Sequence, residues 1–181
     1  MIFFGMGRIQ GIERYRKFWA CFLLCFVLAF FIALSGCKEK EPPAVGVVPP
    51  KFTLLDLKGG QITVPDDFKG KVVIIRFWVD TCKACAKEMP EIDQTYNKYK
   101  DRGLAVLAVN AGQSREAAET FGSRLKITYP ILLDPGSKVT KQYGVKAVPF
   151  TFVINREGII TKRILGETQS ESFEKMIQDL L

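Results

Sequence analysis

Four consecutive β-branched residues, Val72-Val73-Ile74-Ile75, continue through Arg76-Phe77-Trp78 and lead to two cysteines three residues apart, Cys82 and Cys85. A run of this kind reads as a buried strand, and the polar, lysine-bearing stretch from Glu91 to Lys100 reads as a helix. Strand, short turn and helix put Cys82 at the helix start and Cys85 one turn in. Thiols at i and i+3 there can meet in a disulfide. The first sulfur faces backbone N–H groups that have no partner within the helix. Those donors and the helix dipole favour thiolate over thiol, bringing its pKa below the usual thiol range. Cys82 is therefore expected to be the attacking thiolate and Cys85 the resolving thiol.

The residues alone leave an inert structural disulfide open, although the strand-then-helix context favours redox chemistry. Other cysteine chemistries are harder to build. A zinc site needs two more ligands, and the remaining cysteines, Cys21, Cys25 and Cys37, lie in or beside an N-terminal apolar stretch. The chain has no histidine, which excludes a Cys/His zinc site and a Cys–His nucleophile. Ala86 stands where a covalent haem motif requires histidine. Neither a metal site nor a cofactor is expected.

The N-terminus has the parts of an export signal. Arg14-Tyr15-Arg16-Lys17 precedes an uncharged apolar run from Phe18 to Leu34, followed by Leu34-Ser35-Gly36-Cys37. That ending resembles a bacterial lipobox, in which the cysteine, here Cys37, is acylated and becomes the mature N-terminus. An uncleaved anchor is the alternative. In either case the basic flank stays in the cytoplasm and the rest is exported. Residues 1–36 thus read as signal or anchor. Residues 37–51, with Pro42-Pro43 and Pro49-Pro50, show no apolar period and read as a flexible tether. Residues 52–181 read as one folded domain of ordinary size. The net charge is +7, of which Arg8, Arg14, Arg16 and Lys17 against Glu13 account for +3. The remaining excess is scattered, so no nucleic-acid partner is expected.

Within the domain, Phe52–Leu57 and Gln61–Val64 flank Lys58-Gly59-Gly60 as a β-hairpin. Gly103–Val109 is a second buried strand, and Ser114 is placed to cap a following helix. Ile131–Leu133 is a short strand, and Ser137–Tyr143 is a short helix stopped at Gly144. Phe150–Ile154 and Ile159–Leu165 form a second hairpin. Ser170–Leu181 closes the chain as an amphipathic helix with Phe173, Ile177 and Leu180 on one face. Strands alternating with helices, then a hairpin and a last helix, indicate an α/β fold around a mixed central sheet flanked by helices.

Two groups of residues carry a resemblance to a known family. One is Phe77-Trp78 followed by Cys82 and Cys85, then Glu88 and Pro90. The other is Gly144-Val145-Lys146-Ala147-Val148-Pro149 followed by Phe152-Val153-Ile154-Asn155. With them the chain, from Phe52 to Leu181, resembles the thioredoxin-like, membrane-anchored thiol–disulfide oxidoreductases of the TlpA and ResA type. The resemblance implies a thioredoxin-like fold and a redox-active Cys82–Cys85 disulfide. It also implies a cis Pro149 against that disulfide, with the Val148 backbone free to pair with an extended substrate. Trp78 becomes a support of the site, Arg76 a candidate support that the resemblance itself does not supply, and Glu88 a candidate proton acceptor near Cys85; a solvated helix face is the alternative for Glu88. The implied substrates are protein disulfides, apocytochrome c among them, with electrons supplied by a membrane thiol–disulfide donor. The implied location is a lipid-anchored one, outside the cytoplasmic membrane.

Three positions depart from the family pattern. Thr81 stands before the first cysteine, where a bulky residue is usual. Asp80 puts an acid near the attacking sulfur and opposes the helix dipole. Arg76 lies in the strand, where relatives carry Asn or Asp. Pointing inward, a cation ~6 Å from a thiolate at an effective dielectric of ~20 would contribute about 3 kcal/mol. Pointing outward, it would be an ordinary surface residue.

Two other functions fit the same fold less well. Copper delivery usually needs wider cysteine spacing and a distal histidine. A peroxiredoxin-like peroxidase is suggested by Thr81 beside Cys82, but the usual upstream Thr and Pro spacing is absent.

Overall fold

The computed structural model describes residues 40–181 and, in the N-terminal segment, Trp19 alone. The signal or anchor reading of residues 1–36 and the acylation of Cys37 therefore lie outside the described residues, as do Cys21 and Cys25. Among the described residues, no helix is long and apolar enough to cross a membrane.

The strands are β1 (Phe52–Asp56), β2 (Gln61–Val64), β3 (Val72–Trp78), β4 (Leu104–Ala111), β5 (Ile131–Asp134), β6 (Phe150–Ile154) and β7 (Ile160–Leu165). The helices are α1 (Lys83–Tyr99), α2 (Arg115–Arg124), α3 (Lys138–Gln142) and α4 (Ser170–Gln178). One seven-stranded sheet holds the strands in the order β2-β1-β5-β4-β3-β6-β7. β3 runs parallel to β4 and antiparallel to β6, and β4 runs parallel to β5. The sheet is therefore mixed. Its central strand is the apolar run that precedes the cysteines.

All seven residues of β3 are buried, because helices cover both faces of the sheet there. Side chains alternate between the faces. Ile74 and Trp78 pack on one side with Cys85, Met89 and Ile92 of α1, Phe121 of α2, and Phe173 and Ile177 of α4. Ile75 and Phe77 pack on the other with Val139, Tyr143, Phe152 and Phe52. Arg76 has the parity of Ile74 and Trp78, so it faces α1.

Ser114 caps α2, its side chain accepting from the Ala117 N–H, as its position suggests. α4 ends at Gln178, three residues short of the sequence expectation, with Phe173 and Ile177 buried as its amphipathic pattern requires.

Residues 40–51 differ from a free tether, because backbone carbonyls and amides of this stretch find partners on the domain. Arg163 Nη1 donates to the carbonyls of Pro42 (3.0 Å) and Pro43 (3.4 Å). Glu41 pairs with Lys146 at 3.1 Å. Gly46 and Val47 exchange backbone hydrogen bonds with Ile160 on the edge strand, and the Tyr143 hydroxyl donates to the Pro50 carbonyl at 2.7 Å. Apolar periodicity is blind to contacts of this kind.

Candidate active site

Cys82 occupies the N-cap of α1 with extended backbone angles, and its Sγ accepts the Cys85 N–H at 3.1 Å. A turn in which the Cys82 N–H donates to the Val79 carbonyl delivers it there from the end of β3. Cys82 and Cys85 are joined in a disulfide with Cα atoms 5.2 Å apart. Cys82 is partly exposed, whereas Cys85 is fully buried against Trp78 and Met89. The two sulfurs are thus inequivalent. One can be reached from outside, and it is the one that receives a helix N-terminal N–H.

Beneath α1, Arg76 points inward. Its Nη2 donates to Glu88 Oε2 in an ion pair, and its Nη1 donates to the Thr151 hydroxyl at 2.9 Å. Glu88 is 3% exposed, which rules out a solvated helix face for it. Its other oxygen accepts the backbone N–H of Thr168 from the loop between β7 and α4. The guanidinium charge is therefore matched by a carboxylate inside the protein. Both Glu88 oxygens already hold a donor, so a proton-acceptor role near Cys85 would compete with these bonds. Burial raises the pKa of the nearby Tyr129 phenol far above its usual value, with the Arg76 charge opposing; the hydroxyl donates to the Met89 carbonyl at 3.3 Å.

The Val148–Pro149 bond is cis, as the family resemblance implies. Phe150 pairs with Phe77, so Pro149 arrives at the sheet end where β3 delivers the cysteines. Val148 remains partly exposed, and the Pro149 carbonyl accepts the Gly166 N–H at 2.9 Å. A second cis bond, Val64–Pro65, has no counterpart in the sequence reading. Trp78 stacks on Phe121 with ring centroids 4.6 Å apart and an interplanar angle of 24°. Its Nε1 has no hydrogen-bond partner among the described residues.

Four polar residues at this site escaped the sequence reading: Thr151, Thr168, Asn110 and Gln113. Thr151 and Asn110 do leave a signal, since each is a polar residue within an otherwise apolar strand, and both are buried. Thr168 and Gln113 lie in loops and leave none.

The disulfide thus sits at a helix start, and a cis-proline lies at the same end of the sheet. The sequence model of the AhpC/TSA family matches residues 45–163. The chain belongs to the AhpC/TSA family. Within that family it is 37% identical over 159 residues to thiol-disulfide oxidoreductase ResA of Bacillus subtilis, covering 88% of this chain and 86% of that protein. It is 32% identical over 158 residues to ResA of Bacillus cereus, covering 87% and 91%. Among solved structures it is similar to a candidate thiol:disulfide interchange protein DsbE from Chlorobium tepidum. That match has a TM-score of 0.71 and 29% identity, over 76% of this chain and 97% of the other. The fold of this AhpC/TSA member is thioredoxin-like, and the protein is a thiol–disulfide oxidoreductase. Among the described residues no cluster of three or more His, Cys, Asp or Glu side chains could hold a metal ion.

Proposed function

We propose that this oxidoreductase works as a reductant of protein disulfides on the outer side of the cytoplasmic membrane, tethered by a lipid on Cys37. In the reduced protein, the Cys82 thiolate attacks one sulfur of a substrate disulfide. A Cys82–substrate bond forms, the substrate S–S bond breaks, and one substrate thiolate leaves. Cys85, having given up its proton, then attacks Cys82 Sγ. This breaks the mixed disulfide, releases the second substrate thiolate and leaves Cys82–Cys85 oxidised. Two electrons have passed to the substrate, and a membrane thiol–disulfide donor returns them.

The observation that carries this assignment is the inequivalence of the sulfurs: Cys82 partly exposed at the N-cap, Cys85 buried behind it. Val148 beside Pro149 offers backbone groups at the same sheet end for an extended substrate. The basic flank, apolar run and Leu34-Ser35-Gly36-Cys37 support export and acylation. The family resemblance carried by Cys82, Cys85, Glu88 and Pro149 implies apocytochrome c haem-site cysteines as the physiological disulfide.

Insulin reduction tests the chemistry. Cys82→Ser is expected to be inactive, and Cys85→Ser to accumulate a mixed disulfide with substrate through Cys82; full activity of Cys82→Ser overturns the mechanism. A Cys82/Cys85 reduction potential near that of a periplasmic oxidant would reverse the direction. Loss of lipid labelling in Cys37→Ala tests the anchor.

A further inference from the structure

The loop that presents Cys82 is gripped from β4. Gln113 Oε1 accepts the Asp80 backbone N–H at 2.8 Å and an N–H of Asn110 Nδ2 at 2.7 Å, while Gln113 Nε2 donates to Asp80 Oδ1. These bonds admit one orientation of each amide. The Asp80 N–H can only donate, so Gln113 must present its oxygen there. Its nitrogen then meets the carboxylate, and Asn110 must turn its own nitrogen toward Gln113. Asn110 is wholly buried and in register with Trp78, so the clamp is rooted in the sheet. Gly112, at φ +78°, makes the turn that folds Gln113 back over the end of β4.

Asp80 lies two residues before Cys82, and the turn from Val79 to Cys82 keeps both in one tight bend. A free carboxylate there would oppose ionisation of the attacking sulfur. Of the other charges around this sheet end, Arg76 pairs with Glu88, Lys87 with Glu167 and Lys146 with Glu41, whereas the buried Asp134 carboxylate accepts from the Val139 and Thr140 N–H groups and the Thr140 hydroxyl. Lys83, on the first turn of α1, is exposed. Asp80 is held by a neutral amide. We propose that Gln113 is a positioning residue for thiol–disulfide exchange: it fixes the Asp80 carboxylate and so limits how far this acid suppresses the Cys82 thiolate. The proposal rests on Cys82 being the attacking sulfur.

The test follows the pH dependence of iodoacetamide alkylation in the reduced full-length protein, read by mass spectrometry of the Cys82 peptide. Four proteins are compared: wild type, Gln113→Ala, Asp80→Asn and the double variant. Gln113→Ala is expected to raise the alkylation midpoint by about half a pH unit, which at pH well below the midpoint means about threefold less thiolate. Asp80→Asn keeps the bond from Gln113 and lowers the midpoint. Added to Asp80→Asn, the Gln113→Ala change should have no further effect. An unchanged midpoint in Gln113→Ala, or an equal rise with and without the Asp80→Asn change, overturns the proposal, because loop disruption alone would act equally in both backgrounds. Gln113→Met, which keeps the chain length without the amide, takes the place of the alanine variant if that protein does not fold. Preferential alkylation of the Cys85 peptide in wild type would instead sink the mechanism on which the proposal rests.

Discussion

Arg76 on the central strand and Glu88 on the redox helix form an ion pair shut off from solvent, their side chains 1% and 4% exposed. Its reach is wider than two residues. Arg76 also donates to Thr151 on β6, and Glu88 accepts from the backbone of Thr168. Two strands, the helix carrying Cys85 and the loop beyond β7 therefore meet at one buried pair of charges.

Removing one partner leaves the other charge buried and unmatched, which costs about 3–5 kcal/mol, whereas replacing both with apolar residues of similar volume is close to neutral. Glu88→Met is thus expected to lower the urea midpoint sharply, and Arg76→Met/Glu88→Met to recover most of the loss. Additive losses in the double variant would show that the pair is not coupled.

A second prediction concerns the stretch that precedes β1. Gly144 adopts φ +61°, and a Cβ there would run into the backbone of Lys40, Glu41 and Pro42. Gly144→Ala should displace residues 40–43 and break the Arg163 and Lys146 contacts. Faster proteolysis within residues 40–46, with the Cys82–Cys85 disulfide still formed, is the expected result. Unchanged cleavage would mean that the stretch is held by its other bonds alone.

Packing at the site gives a third. Phe121 is 2% exposed and stacks on Trp78. Phe121→Ala should destabilise the protein by about 3–5 kcal/mol through lost burial and the cavity left behind. Chemical denaturation measures it, and a cost under about 1 kcal/mol would mean that α2 collapses onto the gap.

The fourth concerns pH. Hydrogen bonds from Lys98 and then Tyr99 hold the Glu174 carboxyl below its ordinary pKa, while the bond to Glu174 raises that of Lys98. A lowered carboxyl pKa contributes stability above its unfolded value and loses it as pH falls through the folded value. A raised lysine pKa contributes below its unfolded value and loses it as pH rises through the folded one. The advantage of wild type over Glu174→Gln should therefore be flat across neutral pH and shrink below about pH 4. Urea midpoints measured from pH 3 to 8 check it. Because both groups lie at the surface, the plateau should also shrink at high salt.

Most elements of this fold are legible in local sequence. β3 announces itself through four β-branched residues, α2 through its Ser114 cap, and the hairpins through their glycine turns. Strand order is not local. Nothing in Ile131–Asp134 indicates that β5 slots between β1 and β4. Arg76 and Glu88 each stand out as charged residues close to the cysteines, but their pairing depends on how α1 crosses β3, and two separate readings do not combine without that geometry. Gln113 is a loop glutamine like any other until Gly112 folds it back onto Asp80.

Trp78 carries one more consequence. The chain has two tryptophans, and the other, Trp19, belongs to the N-terminal segment. An indole wholly enclosed next to Cys85 and lying flat on a phenyl ring is a built-in optical gauge of the redox helix. Opening and closing of the sulfur–sulfur bond should be followed in real time from its ultraviolet emission, with no dye and no engineered label.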